Sequence, residues 1–190
     1  GAARRMRGAD KLLEPVDGVP QIRRTVETAR AGGARKAWVT VQPEDRARRA
    51  ALSGTLAKPI EIHDWVEGMA ASLRAGARAA AAQNATALIV LLPDMPEIAA
   101  DDVARLIAAH AGEPGTVCRA AAADGTPGHP VLIPARLFPA LAALSGDAGA
   151  RTLLAEEDVL LVPLDGQRAT TDLDTPEAWA DWRARTGRTG

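Results

Sequence analysis

The sequence predicts an α/β fold: one three-layer, doubly wound domain on a mostly parallel sheet. Three observations carry this. Helix-period and strand-like stretches alternate through the first half of the chain with short links. The run Ala87-Leu88-Ile89-Val90-Leu91-Leu92 is apolar without alternation, as a strand covered on both faces of a parallel sheet must be. No internal repeat, low-complexity linker or second composition regime interrupts the 190 residues, a length that suits one sizeable core. The domain is therefore expected over residues 1–185, with 186–190 as a disordered tail.

Taken in order, the elements have local causes. Asp17-Gly18 forms the tip of a turn after Glu14-Pro15-Val16. A helix from Pro20 to about Ala31 puts Ile22, Val26 and Ala29 on one face, and Gly32-Gly33 stops it. Ala37-Trp38-Val39-Thr40-Val41 is a β-branched strand ended by Pro43. A short basic helix from Glu44 to Leu52 follows, with Arg46, Arg48 and Arg49 read as a solvated face, and then a strand at Pro59–Ile62. An alanine-rich helix opens at Asp64 and ends near Gln83. Its Gly68, Ser72 and Gly76 recur every four residues, a stripe of small side chains that allows close packing.

After Leu92, Asp101 is the expected cap of a helix from Asp102 to Ala111. Strands are expected at Thr116–Ala123 and His129–Ile133, the latter pairing antiparallel, on either side of the turn-rich Asp124–Gly128. Helices at Ala135–Leu144 and Ala148–Ala155 and a strand at Val159–Pro163 complete the pattern. Thr175-Pro176 marks the start of the last helix, which runs to about Arg185. Trp179 and Trp182 share its face, and with Trp38 and Trp65 they read as packing anchors.

Composition excludes several classes. The formal net charge is −1, which leaves no basic footprint for general nucleic-acid binding. The single cysteine, Cys118, sits in a strand-like run as a buried thiol, with neither zinc-ligand spacing nor a Cys-x-x-Cys motif around it. No apolar run reaches membrane-spanning length, and the first residues lack the layout of a signal peptide. A soluble cytoplasmic protein without a membrane partner is the expectation.

Two stretches invite chemistry. In residues 1–13, Gly1 and Gly8 remove Cβ atoms where a ligand could approach, and Arg4, Arg5, Arg7 and Lys11 crowd cationic heads into the same loop. Peptide N–H groups with Arg and Lys are what a polyphosphate needs, although a frayed basic terminus has the same composition. Asp94 follows the most apolar strand directly, at the edge where open α/β sheets bind ligands. A turn residue or a helix cap would look the same.

Five motifs in order resemble one family, the nucleotidyltransferases that attach a nucleotide to molybdopterin. They are Gly1-x-x-x-Arg5-Met6-x-Gly8-x-Asp10-Lys11, the Gly68-Met69-x-x-Ser72-Leu73-x-x-Gly76 segment, Gly128-His129-Pro130-Val131, Gly146-Asp147-x-Gly149-Ala150-Arg151 and Asp172-x-Asp174-Thr175-Pro176. Each is short, but their order along most of the chain is specific, and Lys11-Leu12-Leu13 with the Gly-His-Pro and Gly-Ala-Arg motifs looks more like the cytidylyl than the guanylyl branch. The resemblance implies transfer of a nucleotidyl group, from CTP by preference, to the terminal phosphate of molybdopterin with loss of pyrophosphate. It makes Arg5, Lys11 and Asp94 the catalytic set. Gly1, Gly8, Gly68 and Ser72 join Arg5 and Lys11 around the nucleotide, and His129 and Arg151 face the pterin substrate. Asp94, with Asp174 and Asp172, would hold Mg²⁺; if the Asp172–Asp174 piece is extended, both carboxylates point the same way, while Asp174 could equally cap the last helix. A molybdoenzyme or its chaperone would be the downstream partner.

The chain departs from the family pattern at Ala3, Arg7 and Pro93, where Ser, Gly and Gly are usual. Alternatives stay open: a guanylyltransferase, an enzyme activating another small phosphate or alcohol, and a non-catalytic cofactor carrier, whose mark would be loss of Lys11 or Asp94. The resemblance also implies a central strand feeding Gly1. The expectation is therefore an apolar strand before Gly1 in the native protein, a slot of roughly 9–10 Å between the Trp38 and Leu91 strands, and poor solubility without that strand.

Overall fold

A computed structural model describes Met6, residues 10–145 and residues 153–190, and a two-residue Asp-Gly turn joins the first two strands among them. Strands β1 (Pro15–Val16) and β2 (Val19–Pro20) pair antiparallel across Asp17 and Gly18, whose φ angles of 53° and 75° give the mirror-image turn that suits strand twist. Helix α1 (Gln21–Ala31) follows at once. Its first N–H groups lack a side-chain cap and instead reach back, Gln21 to the Glu14 carbonyl at 3.0 Å and Ile22 to the Leu12 carbonyl at 2.8 Å. The segment ahead of the hairpin is thereby tied to α1.

Strands β3 (Ala37–Val41) and β4 (Ala57–Glu61) pair parallel across α2 (Arg46–Ala51), capped by Asp45. The long helix expected from Asp64 is interrupted. A 3₁₀ turn at Trp65–Glu67 ends on Gly68, where φ is 66°, and helix α3 (Met69–Ala81) begins after it. Only a residue without Cβ takes that conformation cheaply, so Gly68 is a hinge between two helical pieces and not part of one helix.

Strand β5 (Ala87–Val90) leads to helix α4 (Ala100–Gly112). Ala99, and not Asp101, is the N-cap of α4: the buried carboxylate of Asp102, three residues on, accepts from the Ala99 N–H at 2.9 Å, while Asp101 lies exposed in the first turn. Strands β6 (Val117–Ala121) and β7 (Pro127–Pro134), a 3₁₀ turn at Ala135–Leu137, α5 (Phe138–Ala142), β8 (Val159–Pro163) and α6 (Pro176–Thr186) complete the order. The helix expected at 148–155 falls largely outside the described residues.

The sheets are mixed. Four strands run in the order β5-β7-β6-β8, with β7 antiparallel to both neighbours and β6 parallel to β8. Successive side chains serve opposite faces: Val117, Val131 and Ile133 pack with Ala77, Phe138 and Leu141, while Cys118, Leu132 and Val162 pack with Leu106 and Leu164. Helices α3 and α5 cover one face and α4 the other, which is the expected three-layer arrangement.

Strands β3 and β5 belong to different sheets and share no pairing. Between them lies a cavity of about 950 Å³, lined by Trp38, Val39 and Thr40 on one side and Leu88 to Leu92 on the other, with the Gly68-Ser72-Gly76 stripe of α3 as a wall. The expected slot is therefore present. It also explains why β5, read as a strand covered on both faces, is only half-buried along its length.

The last residues were expected to be disordered and are docked instead. Asp17 N–H donates to the Thr189 carbonyl at 2.9 Å, and the Arg188 guanidinium meets the Asp17 carboxylate at 2.6 Å.

Candidate active site

Residues 83 and 163 positions apart converge on one ammonium. Lys11 Nζ donates to Asp94 Oδ2 and, at 2.6 Å, to Asp174 Oδ1. All three side chains are largely shielded, at 13%, 15% and 29% exposure. Asp94 rides the loop that leaves β5, as expected for a ligand-binding carboxylate at a strand's C-terminal edge. Asp174 does not cap α6, because Thr175 does so by accepting from Ala178 N–H at 3.1 Å.

A backbone bond sets the spacing of the two carboxylates: Leu173 N–H donates to the Asp94 carbonyl at 2.9 Å. Leu173 is itself clamped. Its side chain is buried with Met6, Val16, Trp179 and Trp182, and Trp179 Nε1 donates to its carbonyl at 3.1 Å. Trp182 Nε1 holds Glu97, in the Asp94 loop, at 3.0 Å, and the two indoles meet edge to face at 5.9 Å. Helix α6 thus anchors both site loops through buried N–H donors, a duty beyond the packing that its Trp spacing suggests.

Lys11 is placed by Asp10. The Asp10 carboxylate accepts from Leu12 N–H at 3.0 Å and from Arg48 at 2.7 and 3.2 Å, a two-pronged contact that fixes direction as well as distance. Arg48 is therefore no part of a solvated face. Its partner lies 38 residues away, beyond any local pattern.

Electrostatics follow from this geometry. Burial works against the Lys11 ammonium, but the hydrogen bonds to Asp174 and Asp94 and their charges outweigh it and raise its pKa above the ordinary lysine value. Asp94 Oδ1 is buried with no hydrogen-bond partner. Two carboxylates already converging on one cation, with a spare buried oxygen, fit a hard divalent metal that takes one or two protein carboxylates and fills its remaining positions elsewhere.

His129 stands on β7, next to this cluster. Burial, then the Arg119 charge, lowers its pKa; the Val90 carbonyl, which accepts from the ring, and the Asp94 charge oppose that only in part. The backbone there has no slack: a Cβ on Gly128 would come within 1.7 Å of the Ala169 carbonyl oxygen, the same oxygen that accepts from His129 N–H at 2.8 Å. That is why glycine precedes the histidine.

Several expected site residues are not in this cluster. Gly1, Arg5, Gly8 and Arg151 lie outside the described residues. Asp172 is exposed, and no group of three or more metal-ligating side chains exists among the described residues; of the three expected carboxylates, Asp94 and Asp174 come together and Asp172 does not. The physical reason is Leu173: the piece is no strand of a sheet, and the buried leucine turns Asp174 inward to Lys11 and leaves Asp172 in solvent. Ser72 accepts from the Thr40 hydroxyl at 3.0 Å and, like Gly68, lines the slot. Sequence reasoning missed Arg48, Glu97 and the donor role of both indoles. A leucine between two aspartates was the one local sign of an anchored segment.

Among the described residues no helix is long and apolar enough to cross a membrane. A curated relative, nicotine blue oxidoreductase of Paenarthrobacter nicotinovorans, is 33% identical over 186 residues, covering 93% of this chain and 89% of that protein. The crystal structure of Rv0371c from Mycobacterium tuberculosis H37Rv superposes with a TM-score of 0.77 at 29% identity, over 98% of this chain and 93% of that one. The same protein in complex with manganese gives 0.69 at 28% identity, over 93% and 91%. CMP:2-keto-3-deoxy-manno-octonic acid synthetase complexed with CTP shares the fold at 16% identity, with a TM-score of 0.73 over 96% and 93%. Residues 1–160 match the family described as the MobA-like NTP transferase domain, and this chain belongs to that family.

Proposed function

We propose that the protein transfers a nucleotidyl group, from CTP by preference, to the terminal phosphate of molybdopterin. The observation that carries the reading is the convergence of Lys11, Asp94 and Asp174 at the C-terminal edge of β5. In the transfer, an acceptor phosphate oxygen bonds to the α-phosphorus while the bridge to the β-phosphate breaks, and pyrophosphate leaves with the electron pair. A phosphate nucleophile is already ionised, so no general base is required, and the work is positioning and charge neutralisation. Asp94 and Asp174 would hold Mg²⁺, which when bound neutralises phosphate charge. Lys11, with Arg5, would take the β- and γ-phosphates. His129, neutral and held in place beside the cluster, would meet the pterin, and Arg151 an anionic group of the acceptor. The Mn²⁺ complex of the Mycobacterium relative supports divalent-metal use.

The test is pyrophosphate release from each NTP with Mg²⁺ and molybdopterin. CTP should be used best, and Asp94→Asn should lower turnover by about two orders of magnitude or more while unfolding normally, because a loop carboxylate carries little of the core. Full turnover in that variant removes Asp94 from the site, and equal use of GTP moves the protein to the guanylyl branch. Lys11→Ala should weaken NTP binding and His129→Ala pterin binding; the reverse pattern exchanges their roles. A second reading, an oxidoreductase, is favoured by the name of the relative at 33% identity. Loss of nicotine blue's colour on incubation with the protein and an added hydride donor such as NADH, with matching oxidation of the donor and no pyrophosphate release from any NTP, would select it.

A further inference from the structure

We propose that Arg183 is the positioning residue for Lys11: from helix α6 it holds the segment that carries the lysine in register with Asp174, and so sets how the ammonium meets a triphosphate. This rests on the reading of Lys11 as the phosphate-binding lysine and names the residue that keeps it in place.

Three helices brace the Lys11 segment. Arg48 of α2 grips the Asp10 carboxylate, and the first N–H groups of α1, from Gln21 and Ile22, hold the Glu14 and Leu12 carbonyls. The third brace is Arg183. Its Nη2 donates both to the Glu14 carboxylate and to the Pro15 carbonyl, each at 2.8 Å, across 169 and 168 positions of sequence. Arg183 and Glu14 are shielded, at 20% and 23% exposure, where salt and water weaken a charged contact less than at the open surface.

The far end of Arg183 sets it apart from the other two braces. Its guanidinium lies over the Trp179 ring, 5.4 Å from the centroid, and the Trp179 indole donates to the Leu173 carbonyl at 3.1 Å. A continuous line of contacts therefore runs from Glu14 through Arg183, Trp179 and Leu173 to Asp174, the carboxylate that Lys11 Nζ meets at 2.6 Å. The other end of the hairpin is tied to the same helix. Beyond Gly187, which turns the chain at a φ of 69°, Arg188 meets the Asp17 carboxylate at 2.6 Å and Thr189 N–H donates to it at 3.1 Å. Two attachments fix the orientation of the hairpin on α6 as well as its distance. A lysine is a point charge on a flexible stem, so where its root sits decides which phosphate it reaches. Without Arg183 the root keeps its bonds to α1 and α2 but loses its register with Asp174.

The experiment is equilibrium binding of labelled CTP, with Mg²⁺ present, to wild type, Arg183→Met, Lys11→Ala and the double variant. Met keeps an unbranched stem against Trp179 and removes the donors. Arg183→Met should weaken CTP binding about tenfold, since a misplacement near 1 Å is enough for a loss of that order or more. On the Lys11→Ala background the same change should have no effect, because no ammonium is left to misplace. That non-additivity is the signature of action through Lys11, and a general loosening of the fold does not produce it. Arg183→Lys should recover part of the loss by returning a donor to Glu14; binding no better than in Arg183→Met overturns the proposal. So does equal weakening in both backgrounds, or none in either. CTP binding by Lys11→Ala as tight as by wild type overturns the reading of Lys11 itself, and the proposal with it. Should Arg183→Met fold poorly, Glu14→Ala breaks the same contact from the other side and must show the same dependence on Lys11.

Discussion

Two pairs of strands in this molecule, β6 with β7 and β3 with β5, are built to different standards. In β6 and β7 nearly every side chain is buried and β6 is paired on both edges. In β3 and β5 the sequence is just as apolar, yet four of five and four of four residues respectively are only half-buried, and among the described residues each strand is paired on one edge. The difference teaches that apolar content reports what a strand is suited to, while its neighbours decide what it buries. Packing in the slot-facing half rests on one side only.

The largest test of that contrast is a matched pair of leucines. Leu141→Ala, at a site 1% exposed, should cost about 3–5 kcal/mol in denaturant unfolding, whereas Leu88→Ala, on the cavity wall, should cost under about 1.5 kcal/mol because neighbours already lack contacts there. Equal costs would erase the distinction between the halves. Amide exchange sharpens it next: amides of β3 and β5 should exchange at least about tenfold faster than those of β6, since one edge of each lacks a ladder. The smallest effect concerns His129, on β7. Its lowered pKa means that the unfolded chain takes up the proton first, so stability is full above about pH 6.5 and declines as the pH falls below that toward the folded value. His129→Asn should flatten that limb between about pH 6.5 and 5. A wild-type stability constant across this range would show that the ring is not held neutral.

Legibility in the sequence followed the range of the interactions. Strands β3 and β8 begin and end where β-branched content and proline say they do, because those causes are local. The start of α3 was misplaced because Gly68 alone looks like one more small residue on a stripe, and its positive φ is invisible in a pattern. Spacing points to Asp101 as the cap, but the helix starts at Ala100, so it is Asp102, at the third helical position, that reaches back to the Ala99 N–H. At the site, Asp94 was readable from its place after an apolar strand, and Asp174 from its motif. Arg48 was not, because an arginine on a short basic helix gives no sign that an aspartate 38 residues earlier needs it. Nor did two-residue spacing predict that Asp172 and Asp174 would part company, since that rule assumes a strand and the piece is pinned by a buried leucine instead.

The close approach at Gly128 sets a mechanical tolerance for the whole site. The Ala169 carbonyl that leaves room only for a hydrogen on Gly128 lies five residues before Asp174. Adding one methyl at position 128 would push that carbonyl outward, and the chain from Ala169 to Leu173 is too short to absorb the shift. The displacement would travel to Asp174 and open its contact with Lys11. A substitution on a strand that touches no phosphate would then be read as a loosened ion pair on the far side of the loop, as a bent frame shows first at the latch.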